Sequence, residues 1–148
     1  VATTIAVTHL IVEYLETSDE IMLPSRVEVI ILQNVLQWLH SEYTDIRWNA
    51  TRILLTMSRN PENYGVVNHQ LMNLIDSNSV YIKNLIMQHL HTMNGITDGT
   101  KDYILSKCKH DANFVVRMVC DEVKKTQAKS RKKPVERFSI ASNVSVTV

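Results

Sequence analysis

Apolar residues recur along this chain at intervals of three and four, the spacing of one face of an α-helix, and capping residues and turn formers interrupt them at regular points. Leu32, Leu36 and Leu39, then Ile53, Leu54 and Met57, then Leu71 and Leu74, Leu90 and Met93, and Ile104 and Leu105 are the core candidates of successive helices. Burial of each such side chain contributes roughly 1.5–3 kcal/mol before the entropy of ordering is set against it. The interruptions predict the boundaries. Ser25 is placed to cap a helix over 26–40, Thr44 or Asp45 one that reaches about 58, and Asn60 with Pro61 one that ends near Ile75. Ser79 then caps 80–93, Asn94 and Gly95 end that helix, Thr97 or Asp98 opens one to about Lys109, and Asp111 or Asn113 opens the last. The short connections imply antiparallel pairs, three hairpins in all. Residues 2–16 read as a leading half-repeat, with Ile11 and Leu15 on one face and Leu10 and Tyr14 on the next. Its many Val, Ile and Thr residues lower the intrinsic helix propensity there.

The hairpins repeat one another. D-I-R-W-N-A runs from Asp45 to Ala50, V-Y-I-K-N-L-I from Val80 to Ile86, and F-V-V-R-M-V-C from Phe114 to Cys120. Aligned on the basic residue, Arg47, Lys83 and Arg117 form one column with separations of 36 and 34 residues. An aliphatic residue precedes each cation, and Ala50, Ile86 and Cys120 follow three later on the same helical face. This period and the D-x-R-x-x-A element resemble the HEAT repeats of the HEAT and armadillo superfamily, over about residues 25–127. The glycine expected between the first helices of armadillo repeats is not evident. The resemblance implies an all-α fold, a right-handed α-α superhelix of about three helical hairpins plus an N-terminal half-repeat. It also implies that the second helices line a concave surface and that Arg47, Lys83 and Arg117 bridge successive turns, with Asp45 and Asp111 as acidic partners. The middle repeat departs from the pattern, since Ser79 and Val80 stand where an acid is expected.

Composition narrows the function classes. Three glycines and three prolines in 148 residues leave little room for linkers. No apolar run approaches the roughly 18 residues of a membrane span, and no basic region precedes the N-terminal apolar stretch as in a secretory leader. An intracellular protein, cytoplasmic or nuclear, is therefore expected. Cys108 and Cys120 have no metal-ligand spacing and sit at apolar positions, as buried reduced thiols do. The charge is uneven. Residues 1–123 carry nine Lys and Arg against 14 Asp and Glu, whereas residues 124–148 carry seven against one. An acidic helical body, 1–127, and a basic, flexible tail, 128–148, are expected to meet different partners.

Catalytic constellations are not evident. The chain has no Gly-rich phosphate loop, nucleophile elbow or HExxH element. His89 and His91 are two apart, which points them about 200° from one another on a helix, and His9, His40, His69 and His110 lack a second ligand at helical spacing. Among HEAT-like families, the alkylpurine DNA glycosylases resemble this architecture but use an aromatic and cationic cleft. Here only Trp38 and Trp48 offer tryptophan, in an acidic body of few repeats. No cofactor, metal or enzymatic activity is expected. The expected function is a protein-binding scaffold whose second-helix face offers Trp48, Asn84 and Met118 in the column beside the cations, and Arg52, Gln88 and Glu122 four residues later. Trp and Arg together suit an interface anchor, although a large ring also packs readily against a neighbouring repeat. The alternative is contact with nucleic acid or an anionic surface through Lys124, Lys125, Lys129, Arg131, Lys132, Lys133 and Arg137.

Overall fold

A computed structural model of the chain describes residues 1–17, 23–77 and 79–147, the side chains of Ser77 and of 131–147 excepted. The fold is all-helical. Among the described residues it comprises α1 (Ala2–Glu16), α2 (Ser25–Trp38), α3 (Thr44–Met57), a 3-10 turn (Pro61–Asn63), α4 (Tyr64–Ser77), α5 (Val80–His89), α6 (Asp98–Lys109) and α7 (Phe114–Thr147). No described helix is both long and apolar enough to cross a membrane.

The predicted hairpins form. α2 packs on α3, α4 on α5 and α6 on α7. The second helices and α1 then form a row in which α1 meets α3, α3 meets α5 and α5 meets α7, while α4 packs on α6 outside it. Polar contacts give the direction of the row. Asn49 donates to the Thr8 hydroxyl at 3.0 Å and Arg59 to the Leu15 carbonyl at 3.1 Å. Lys83 meets Asp111 and, further along both chains, His91 meets the Val123 carbonyl at 3.0 Å. Both sets advance together along their helices, so neighbours in the row run parallel.

One continuous core runs between the helices, from Val12 and Leu15 through Ile53, Leu54, Leu71, Ile82, Ile86, Leu90 and Ile104 to Val116 and Val123. Leu39, Met57, Leu74, Met93 and Leu105 are buried as the periodicity predicts, whereas Leu32 and Leu36 are only partly covered. On α1, Val12 and Leu15 are buried and Leu10 and Tyr14 exposed, matching the expected faces.

Helix starts follow local hydrogen bonding. Ser79 and Thr97 accept the amides of Ile82 and Thr100 at the starts of α5 and α6. Asn113 accepts those of Val115 and Val116 at the start of α7. Asn60 caps the 3-10 turn that precedes α4. Two expected caps are displaced by one residue. Pro24, not Ser25, precedes α2, because its carbonyl receives the amides of Val27 and Glu28. Tyr43, not Thr44, precedes α3, its carbonyl receiving the Arg47 amide and its own amide donating to Ser41 Oγ. α5 stops at His89 rather than 93, since the amides of Leu90 and Thr92 close tighter, three-residue turns onto Met87 and His89. α7 passes through the expected tail boundary, so residues 128–147 continue the helix that begins at Phe114.

Connections are pinned by amides. The Glu28 carboxylate of α2 takes the side-chain amides of Asn60 and Asn63 at 2.9 and 2.7 Å, which fixes the turn after α3. Asn68 donates to the Gly95 carbonyl and accepts the Thr97 amide, holding the turn before α6. Gly95 has φ +80°, and a Cβ there would overlap the Tyr64 ring. Asn49, although part of an Asn-Ala-Thr sequon, is buried against Thr8, which keeps it from a glycosyl transferase in the folded chain. Asn143 carries the other sequon, and its side chain lies outside the described residues.

Candidate functional site

The column of cations does two different things. Arg47 donates to the Ser41 carbonyl at 2.7 Å and to the Thr44 hydroxyl at 3.2 Å. Arg117 likewise donates to the carbonyl six residues before it, Asp111, at 2.6 Å, and to that of Ala112 at 2.9 Å. Each arginine thus ties the start of its own helix to the turn before it. Lys83 instead reaches forward to the next turn and meets the Asp111 carboxylate at 2.6 Å. Burial of Asp111 raises its pKa, but the Lys83 ammonium and the Asn113 amide outweigh this and hold it below the usual carboxylate value. Asp45 is exposed in the first turn of α3, where a carboxylate complements the helix dipole.

A cleft of about 810 Å³ opens between α3 and α5, closed at one end by the last residue of α1. Leu55, Leu85 and Met93 supply apolar lining, and Trp48, Arg52, Gln88, His89 and Asn94 stand around it. Trp48 is half-buried, its covered part packed against the core. Arg52 is held in bidentate fashion by Glu16, with Nε to Oε1 at 3.0 Å and NH2 to Oε2 at 2.5 Å. His89 Nδ1 lies 2.8 Å from the Leu85 carbonyl, to which it must donate, leaving Nε2 as the acceptor of the neutral ring. Thr56 and Ser58 donate their hydroxyls to the carbonyls of Arg52 and Leu55.

Three of the six expected partner-binding residues, Trp48, Arg52 and Gln88, therefore meet in one cleft. The other three do not join it. Asn84 is partly covered, its Oδ1 excluded from solvent with no hydrogen-bond partner. Met118 and Glu122 lie on α7 at the far end of the row, exposed, with Glu122 3.4 Å from Lys125. The column is thus not one continuous face: Arg52 and Gln88 stand at the α3–α5 cleft, Arg52 reaching back to Glu16 of α1, while Met118 and Glu122 are exposed on α7. The remaining lining residues, Glu16, Arg59, Leu55 and His89 among them, escape a reading confined to the cation register. One signal was available: Glu16 stands 36 residues before Arg52, one repeat period.

In the basic run, Lys124 is partly covered and Lys125 and Lys129 are exposed on α7. Arg131, Lys132, Lys133 and Arg137 follow in the same helix, with side chains outside the described ones. Among the described residues no three His, Cys, Asp or Glu side chains converge as metal ligands. Cys108 and Cys120 are buried free thiols. Burial, reinforced by Cys120 and Asp111 and opposed by Lys83, pushes Cys108 up to about 12. Burial also raises Cys120, whose Sγ donates to the Leu105 carbonyl at 3.2 Å. No protein-family model, curated protein or solved structure matches the chain.

Proposed function

We propose that this chain is a HEAT-like helical-repeat scaffold, coiled as a right-handed superhelix, that binds a segment of another protein in the cleft between α3 and α5. The observation that carries the reading is the convergence of Trp48 and Arg52 from one repeat with Gln88 from the next around apolar lining. Trp and Arg are enriched at interface anchors, and Leu55, Leu85 and Met93 give this one an apolar floor. A binding role fits the cleft chemistry better than catalysis, because its hydroxyls donate to backbone carbonyls and its histidine is fixed by another. The test is a displayed peptide library selected on the wild-type chain and on a Trp48→Ala/Gln88→Ala variant of equal helicity. Peptides that hold the wild type and lose at least about tenfold in affinity on the variant, the order of one anchor residue, support the reading; peptides indifferent to both substitutions overturn it.

A second reading is supported by the helical course of α7, which runs through the whole basic stretch from Lys124 to Arg137. Duplex nucleic acid held by all seven would dissociate with a salt slope of roughly −6. Binding that ignores salt, or that survives removal of residues 124–148, excludes it.

A further inference from the structure

α3 and α5 lie inside the inner row, α3 between α1 and α5, and α5 between α3 and α7. What they leave open to solvent is therefore open with a neighbour on either side. On α3 one stripe runs Asp45, Trp48, Arg52, at i, i+3 and i+7, and on α5 one runs Tyr81, Leu85, Gln88, at i, i+4 and i+7. The two helices run parallel, and Asp45 precedes Tyr81 by the same 36 residues by which Arg52 precedes Gln88. Arg52 and Gln88 both line the cleft. Asp45 and Tyr81 thus come level with one another just beyond it, at the end where both helices begin.

The chemistry of that end is an open ring beside an open carboxylate. Tyr81 is 72% exposed, more than any other large apolar side chain among the described residues. Asp45 is exposed, and among the described residues no ion pair or side-chain hydrogen bond engages it. The cations nearest in sequence point elsewhere: Arg47 donates to the Ser41 carbonyl and the Thr44 hydroxyl, Arg52 is held by Glu16, and Lys83 is closed on Asp111. Glu42, exposed in the turn before α3, adds a second carboxylate, with His40 two residues before it. Asp76, at the end of α4, is taken by Tyr103 and Lys107, and Lys109 and His110 stand one repeat on, before α7. Two full negative charges exceed the roughly half charge that each of the two helix starts contributes, so this end is net acidic. The helical body has the same sign, with nine Lys and Arg against 14 Asp and Glu over residues 1–123, which draws cations toward it.

We propose, on the premise that the cleft holds a protein segment, that this segment carries a lysine or arginine at the Asp45–Tyr81 end, its aliphatic stem along the Tyr81 ring and its charge toward Asp45. Ring face and carboxylate both attract a cation, and the ring covers the stem. A neutral or acidic side chain gains neither attraction. Tyr81 lies about 6 Å along α5 from Leu85 and about 10 Å from Gln88, at about 1.5 Å per residue. An extended segment advances about 3.3 Å per residue. The cation therefore stands two or three residues from the side chain that fills the cleft, and the segment runs lengthwise between α3 and α5.

Peptides selected from a displayed library on the wild-type chain test this. Their alignment should show Lys or Arg two or three positions from an apolar residue. In the tightest of them, norleucine in place of that cation should weaken binding to the wild type about fivefold to tenfold. The same replacement should change little on an Asp45→Asn/Tyr81→Ala variant, whose substitutions fall at exposed positions and whose helicity circular dichroism compares with the wild type. Peptides that lose affinity on Trp48→Ala/Gln88→Ala but show no basic preference overturn the proposal and leave the cleft reading standing. So does a basic preference that persists undiminished on Asp45→Asn/Tyr81→Ala, since the charge is then read elsewhere on the acidic body. Peptides indifferent to Trp48→Ala/Gln88→Ala overturn both.

Discussion

The Lys83–Asp111 pair joins the second repeat to the third, and Asp111→Asn isolates its contribution. Asparagine keeps an acceptor for the Asn113 amide, 2.8 Å from Oδ1 in the native turn, and puts an amide NH2 in place of the Oδ2 that accepts from Lys83, removing both the charge and that acceptor. The side chains are 16% and 14% exposed, with N to O at 2.6 Å. They lie between an exposed pair, worth about 0–1 kcal/mol, and a fully buried one, whose disruption costs about 3–5 kcal/mol because the other charge is left unpaired. The expected loss is therefore about 2 kcal/mol, or roughly 4–8 °C in melting temperature for a chain of this length. Urea unfolding followed by circular dichroism measures it. Lys83→Met in the same chain should recover part of the loss by removing the orphaned ammonium. Acid sharpens the test. A carboxylate held below its ordinary value contributes stability in full above about pH 4, and loses it as pH falls through the lowered native value. The wild type should lose this increment below about pH 4, and Asp111→Asn should lack that part of the acid limb. A loss under about 0.5 kcal/mol, with an unchanged acid limb, would refute the assignment of Lys83–Asp111 as a link between repeats.

Two further predictions concern the backbone and the thiols. Gly95→Ala should cost about 2 kcal/mol or more in urea unfolding, because φ +80° disfavours a side chain and the new methyl meets the Tyr64 ring; Gly65→Ala, in open space within α4, should instead gain up to about 1 kcal/mol. Cys108 and Cys120 should resist alkylation in the native chain and both react after unfolding. With Cys108 raised from 9.0 to about 12, the unfolded thiol ionises first, so stability should fall as pH rises across that interval; fast native labelling at pH 8 would contradict the burial of both sulfurs.

Much of the fold was legible because helical period and cap chemistry are local. Ser79, Thr97 and Asn113 cap the helices they precede, and Ile53, Leu54 and Ile104 are buried as their spacing requires. Where two neighbours competed, sequence alone did not choose. Ser25 and Thr44 are good capping types, yet the carbonyls of Pro24 and Tyr43 take the first helical amides, and the Thr44 hydroxyl accepts Arg47 instead. The cleft was legible in part. Periodicity puts Trp48 and Arg52 on one side of α3 and Gln88 on α5, but it carries no information about which sides of successive helices face one another. That depends on packing between repeats, and it brings in Glu16 and Leu85 while leaving Met118 and Glu122 at the end of the row.

The middle repeat shows how a departure from the repeat pattern can be offset by its neighbour. With Ser79 and Val80 where an acid is expected, the start of α5 is held by the Ser79 hydroxyl, whose length suits a cap. The cation one turn later then has no local carboxylate, and its chemistry decides where it turns. Arginine at this position spreads its donors over nearby groups, as Arg47 does with a carbonyl and a hydroxyl and Arg117 with two carbonyls. Lysine offers a point charge on a long stem, and Lys83 spans to the Asp111 carboxylate of the following repeat. Asp111 is then shared, its carboxylate by Lys83 and its main-chain carbonyl by Arg117. Asp111 thus serves a cation from each side, and its contact with Lys83 ties the second hairpin to the third.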